Sequence, residues 1–417
     1  MNKKVMTLAV ASALAAPAAV FAQAPTVQLY GRINTGYDNY SATGSTAGTT
    51  AAGVTSDFKG RSRIFDSGSR LGVRGTENLG NGLSAVFQIE NGVNIDSGDN
   101  NGQSGVANAS TGFFASRDSY LGLQGNWGRV TFGRQSLYWT NGAIDQQAAN
   151  YVNSGIPWTS TGVSGRLAGV SARINNVALY TSPTWNGFYV TAGYSANGGG
   201  GNNEGAASGT GITNSDASVW AVRAAYNGMF NLQYDYGVNQ AASVSTVATR
   251  LKIVGQKIGV SWPYQPGARI SLLTTQTKND NGVAVANFRN AGDSVKQSHV
   301  TLVWEHTFGN LQAMASWGKL RTASGCSATA VQGAIANTTA AQNGCDGTDA
   351  NAYMLGLRYN MSKRTALYTT YNRINNGSNQ HSNYAAGGYD SAGIGGVPSA
   401  SVGADPRIWA IGIHHNF

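Results

Sequence analysis

Polar and apolar residues alternate along this chain in one segment of about ten residues after another, a pattern that admits few folds. Val27, Leu29, Ile33 and Tyr37 share one parity, and Gln28, Arg32, Asn34 and Asp38 share the other. Leu83, Ala85, Phe87 and Ile89 stand against Ser84, Gln88 and Glu90. Phe230, Leu232, Tyr234 and Tyr236 oppose Asn231, Gln233 and Asp235, and Val300, Leu302, Trp304 and Phe308 oppose His299, Thr301 and Glu305. Successive side chains on a strand point to opposite faces, so each segment predicts a strand with one wet face and one apolar face.

The segments number sixteen, starting near residues 26, 64, 82, 113, 129, 173, 187, 217, 229, 250, 268, 296, 310, 350, 364 and 406. Their connections alternate in length. Short turns such as Asn78-Leu79-Gly80-Asn81-Gly82, Asn126-Trp127-Gly128 and Gln265-Pro266-Gly267 are separated by long polar stretches at 39–62, 196–216 and 375–405. Compact soluble domains seldom place many long loops at one end. The pattern predicts an all-β fold, a 16-stranded antiparallel transmembrane β-barrel with long external loops, whose even strand number returns both termini to one side. Parity is ambiguous in the segment near 364.

Composition tests that reading. Charged residues are 11% of the 417-residue chain, well below the roughly 25% of ordinary soluble domains. Beyond the N-terminus no apolar run approaches the roughly eighteen residues that a helical membrane span requires. At the N-terminus, Lys3 and Lys4 precede an apolar run from Val5 to Ala16, and Val20 and Ala22 occupy the −3 and −1 positions of a cleavage site. Residues 1–22 are therefore expected to be a secretory signal peptide and 23–417 the barrel. The whole chain carries +9, with Lys+Arg 28 against Asp+Glu 19; losing Lys3 and Lys4 leaves +7 (26 − 19). Nucleic acid is not an expected partner of an exported chain without an aromatic-interleaved basic block.

Tyr30, Tyr37, Trp127, Trp185, Trp220, Trp262, Trp317, Tyr359 and Trp409 lie near segment ends, where interfacial aromatic girdles are expected. The last segment ends Trp409-Ala410-Ile411-Gly412-Ile413-His414-His415-Asn416-Phe417, apolar on one parity through its last residue. Ordered amphipathic termini are unusual because chain ends fray. In a closed barrel this strand must pair with the first.

Together, Leu29-Tyr30-Gly31, Ser69-Arg70-Leu71-Gly72-Val73-Arg74-Gly75-Thr76-Glu77-Asn78-Leu79-Gly80, Tyr120-Leu121-Gly122-Leu123, Phe132-Gly133-Arg134-Gln135 and His415-Asn416-Phe417 make the chain resemble the trimeric general porins of Gram-negative bacteria. It is most similar to the anion-selective porins of β-proteobacteria. The resemblance implies a passive channel for small hydrophilic solutes, assembled as a homotrimer in outer-membrane lipid and lipopolysaccharide. Phe417 would be the assembly signal read by the barrel-assembly machinery.

The resemblance also implies a third external loop folded inward, here about 136–172, facing wall arginines. Arg70, Arg117 and Arg173 match the family's constriction arginines. Arg134 stands at the loop's mouth, and Arg32 and Arg74 have lumen parity. The loop carries one acid, Asp145, and one base, Arg166, with Ile156-Pro157-Trp158 where relatives often have Pro-Glu-Phe. Arginine rings favour anions, so an anion-preferring constriction is expected. Strict alternation would point Arg117 and Arg134 at lipid, at a cost of roughly 2–4 kcal/mol near the midplane, so a bulge or early strand end is expected there. The competing expectation is that these arginines only pair with Glu77, Glu90 or Asp118 for stability.

Cys326 and Cys345 would close a ring of about 20 residues as a disulfide in an oxidising compartment, worth about 3 kcal/mol in the chain-entropy model. Two cysteines are too few for a metal site. The five histidines show no zinc or nucleophile–base spacing, and no catalytic motif occurs. Neither a cofactor nor an enzyme activity is expected. The alternative function is an outer-membrane adhesin or receptor barrel that binds ligands through its external loops.

Overall fold

The computed structural model describes residues 26–46, 57–93, 95–96, 115–137, 173–196, 218–240, 252–280, 292–326, 345–380, 382–383 and 403–417. The expected signal peptide, 1–22, lies outside them. The strands are β1 (Thr26–Thr43), β2 (Phe58–Asp66), β3 (Arg70–Gly80), β4 (Leu83–Gly92), β5 (Ser119–Gly125) and β6 (Gly128–Ser136). Next come β7 (Arg173–Thr181), β8 (Phe188–Ala196), β9 (Ser218–Asn227), β10 (Asn231–Gln240), β11 (Lys252–Gln265) and β12 (Ala268–Asp280). The last are β13 (Val295–Phe308), β14 (Leu311–Leu320), β15 (Ala350–Asn360), β16 (Thr365–Asn376) and β17 (Asp405–Asn416).

All belong to one antiparallel sheet that closes on itself. β1 pairs with β17 from Arg32↔Asn416 to Thr43↔Asp405, which removes both edges. Backbone bonds between Gly31 and Phe417 (3.1 and 3.2 Å) carry that seam to the last residue. A Cβ at Gly31 would come within 2.2 Å of the Phe417 ring, so this close approach requires glycine. The seventeen segments make sixteen barrel strands, because β2 and β3 are one strand interrupted at 67–69. β2 pairs with the upper half of β1, and β3 with the lower half.

Outward-facing positions are apolar and exposed to the surroundings, as at Leu29 (62%), Leu121 (64%), Phe132 (60%) and Leu355 (61%). Leaving such side chains in water forgoes roughly 1.5–3 kcal/mol apiece, so the wall is built to face lipid. Inward positions are polar: Gln233 and Asp235 on β10, Thr275 and Thr277 on β12, and His299 and Thr301 on β13. One barrel end carries short turns, at 81–82, 126–127, 266–267 and 309–310; the other carries the long connections.

Several details differ from the alternation pattern. β2 begins at Phe58, before the expected 64, and β5 begins at Ser119 instead of near 113. Tyr30 is not a girdle residue: it faces the lumen and donates to Glu90 Oε2 at 3.0 Å. The other eight girdle candidates are outward-facing and exposed. β16 is ambiguous in sequence because its inward face carries Tyr368 and Ile374, both buried, while Leu367 and Tyr371 face outward.

Candidate functional site: an arginine cluster on the barrel wall

Cross-strand register gathers the lumen arginines. Arg32 on β1 lies directly opposite Arg70 on β3, Tyr30 opposite Gly72, and Gln28 opposite Arg74. Like charges directly opposed are destabilising, so this pair needs compensation. The break between β2 and β3 supplies part of it. Arg32 donates through an η nitrogen to the carbonyls of Ser67 (2.7 Å) and Gly68 (3.2 Å). Gly68 has φ 68°, a left-handed conformation in which a larger residue is strained.

Glu90 on β4 supplies the rest. Its carboxylate meets Arg117 Nε at 2.5 Å and Arg70 Nε at 3.7 Å, and also accepts from Tyr30. Asp118 organises a second group. It lies 3.0 Å from Arg173 Nε and accepts from the backbone and hydroxyl of Ser136. Arg134 donates to the Ser116 carbonyl at 3.1 Å and to Asn175 Oδ1.

The two residues with lipid parity reach the cluster by the expected devices. Arg117 precedes the first ladder residue of β5, its backbone N–H bonding the Glu90 carbonyl at 3.0 Å. Arg134 occupies an irregularity in the β6–β7 register between Gly133 and Gln135. Arg74 sits nearer the short-turn end, bonded to Gln28 (3.0 Å) and 4.9 Å over the Tyr30 ring. Asp145 and Arg166 lie outside the described residues, as does 138–172 of the expected inward loop.

The carboxylates approach Arg70, Arg117 and Arg173 at Nε, and no described residue accepts a hydrogen bond from their η nitrogens. A guanidinium has five N–H donors, so most of each group's donor capacity is left for a solute. Their side chains are 32%, 15% and 24% exposed, so they are both reachable and screened by water. Arg70 and Arg117 thus pair with Glu90, and Arg173 with Asp118. Glu77 takes no part; it is exposed near the short-turn end.

Alternation alone did not single out Arg61 and Arg63. Both lie on the lumen face of β2, opposite Tyr40 and Asp38, and Arg63 Nε is 3.3 Å from Asp38 Oδ2. Their signal was the i, i+2 spacing between outward Ser62 and Ile64. Further round the barrel, Arg223 forms a two-pronged ion pair with Asp235 (2.7 Å) and Arg269 pairs with Glu305 (2.6 Å), both on lumen faces. Cys326 and Cys345 are joined as a disulfide with Cα atoms 5.3 Å apart, in the connection between β14 and β15.

A closed sixteen-stranded sheet, apolar outside and polar with arginines inside, defines a transmembrane barrel of the water-filled kind. A family model described as Gram-negative porin matches residues 7–379. The chain belongs to the Gram-negative porin family. An outer membrane porin protein of Bordetella pertussis is 38% identical over 197 residues, covering 44% of this chain and 46% of that protein. The chain thus spans about half the length of that relative. The major outer membrane protein P.IB of Neisseria gonorrhoeae is 27% identical, covering 76% of this chain and 82% of that protein. Among solved structures, the anion-selective porin from Comamonas acidovorans superposes with a TM-score of 0.67 at 23% identity, covering 94% of this chain and all of that one. OmpT of Vibrio cholerae in its trimer form gives 0.58 at 13% identity, covering 95% of this chain and all of that one. At these identities the structural matches establish the fold.

Proposed function

We propose that the protein is a passive aqueous channel of the Gram-negative outer membrane that admits small hydrophilic solutes and ions and prefers anions. The observation that carries the preference is the donor surplus on one arc of the lumen. Arg32, Arg70, Arg117, Arg134 and Arg173 gather around Glu90 and Asp118, so among the described residues guanidiniums outnumber carboxylates here, and no described residue accepts from the η nitrogens at the three paired positions. An entering anion exchanges part of its hydration shell for these fixed donors and moves between neighbouring ones, as rings of basic side chains allow. A cation meets like charge along the same arc. Glu90 and Asp118 hold the arginines in place without neutralising them all.

Family membership and the name of the Vibrio trimer support a homotrimer, and Phe417 at the barrel seam fits a role in assembly. Asp145 and Arg166 are proposed to face the cluster from the inward loop. Reversal potentials of purified channels in a planar bilayer test the preference: a chloride-favouring potential is expected, and a potassium-favouring one would remove the arginines' assigned role.

A further inference from the structure

A row of three strands places an aromatic side chain inside the arginine cluster. Tyr30 on β1 lies opposite Gly72 on β3, and Gly72 lies opposite Glu90 on β4. The glycine leaves a bare stretch of wall between the two larger side chains. The Tyr30 ring lies across it, and the hydroxyl donates to Glu90 Oε2 at 3.0 Å, two strands away. A Cβ at Gly72 would stand 2.5 Å from the Tyr30 ring, so a side chain there would push the ring aside.

The two oxygens of Glu90 are treated differently. Arg117 Nε holds Oε1 at 2.5 Å. Oε2 is approached from two sides, by the Tyr30 hydroxyl at 3.0 Å and by Arg70 Nε at 3.7 Å. The hydroxyl is within hydrogen-bond range and the guanidinium is beyond it. Arg74 shares the lumen face of β3 with Arg70, two residues past Gly72 on the other side. Its guanidinium lies 4.9 Å over the face of the Tyr30 ring, and its Nε donates to Gln28 at 3.0 Å. The ring is a partition, with Glu90 at its hydroxyl tip and Arg74 on its face. A neutral hydroxyl satisfies a carboxylate oxygen without using a cation, whereas a second guanidinium would satisfy it with its own donors.

We propose that Tyr30 is a positioning residue that sets the anion preference: it takes the second oxygen of Glu90 with a neutral donor, so that Arg70 and Arg74 keep theirs for the solute. The inference rests on the reading of the channel as anion-preferring and names a residue that tunes it. Glu90 is buried, so loss of the hydroxyl leaves Oε2 in need of another donor. Arg70 is already beside that oxygen and closes on it. Glu90 then holds Arg70 as Asp235 holds Arg223, whose Nε and one η nitrogen are both engaged at 2.7 Å. One guanidinium passes from solute to wall while the total charge of the lumen stays the same.

The test compares reversal potentials of wild type, Y30F, G72A, E90Q and Y30F/E90Q channels in a planar bilayer across a potassium chloride gradient. Y30F removes one oxygen and keeps the ring under Arg74. It should lower the chloride-to-potassium permeability ratio about twofold, less than the roughly fourfold effect of a whole charge. G72A keeps the hydroxyl but displaces the ring, and should shift the ratio in the same direction. Y30F/E90Q should match E90Q, because Tyr30 acts through the Glu90 carboxylate; this double-mutant cycle separates positioning from a general effect on the wall. A tyrosine with a merely structural role would lower heat stability and leave the ratio at its wild-type value. If the wild type prefers chloride and the ratio is unchanged in both Y30F and G72A, the role of Tyr30 is overturned and the anion preference stands. An additive effect of Y30F on E90Q would also overturn it, since the hydroxyl would then act on the solute directly. A wild type that prefers potassium would remove the underlying reading and this inference with it.

Discussion

The arc of wall from β1 to β7 and the arc from β9 to β13 line one lumen but treat their cations differently. On the second arc, Arg223 and Asp235 form a two-pronged pair with side chains 8% and 1% exposed, and Arg269 pairs with Glu305. Those carboxylates consume the cations and little donor capacity faces a solute. On the first arc, Glu90 is shared by Arg70 and Arg117, and Asp118 lies 3.0 Å from Arg173 Nε. One arc uses ion pairs to hold the wall together. In the proposed reading, the other uses carboxylates as struts that keep a surplus of guanidiniums aimed at water.

The most severe way to break this contrast is to neutralise the surplus. A monovalent anion about 5 Å from a guanidinium gains about 0.8 kcal/mol at the dielectric constant of water, or about fourfold per charge. The triple variant R70Q/R117Q/R173Q should therefore lower the chloride-to-potassium permeability ratio about tenfold or more, read from reversal potentials. E90Q should move it the other way, raising anion preference about fourfold by removing one strut charge.

On the second arc, R223Q should change the permeability ratio less than about twofold but strand Asp235 buried, lowering thermal stability by about 3–5 kcal/mol. A large selectivity change there would erase the distinction between the arcs. G68V should cost about 1–3 kcal/mol through left-handed strain, and its selectivity change should be smaller than that of E90Q because Arg32 keeps its charge. Reduction of Cys326–Cys345 should leave conductance unchanged and affect only the connection between β14 and β15, which limited proteolysis would detect.

The strands were largely legible because lipid outside and water inside impose period two on both faces. Legibility failed where a side chain answered to a local partner instead of its face. Tyr30 looked interfacial but serves Glu90, and β16 hides its parity behind inward Tyr368 and Ile374. β5 starts at Ser119, and Arg117 ahead of it still bonds the Glu90 carbonyl of β4 through its backbone N–H. Among the arginines, Arg32 and Arg74 follow from parity, whereas Arg70, Arg117 and Arg173 were singled out by the family resemblance and Arg134 by its place at the loop's mouth. The parity of Arg117 and Arg134 pointed at lipid, and its cost made a local irregularity expected there. Arg61 and Arg63 went unrecognised because Lys59 and Gly60 obscure the start of β2, and the carbonyls that hold Arg32 depend on a strand break visible only in three dimensions.

The most direct measurement of the central claim is the zero-current potential of the wild-type channel in a planar bilayer across a potassium chloride gradient. Stepwise conductance with a chloride-preferring potential that collapses in R70Q/R117Q/R173Q is the predicted result. Stepwise conductance with a potassium-preferring potential, or one indifferent to the triple substitution, would contradict it.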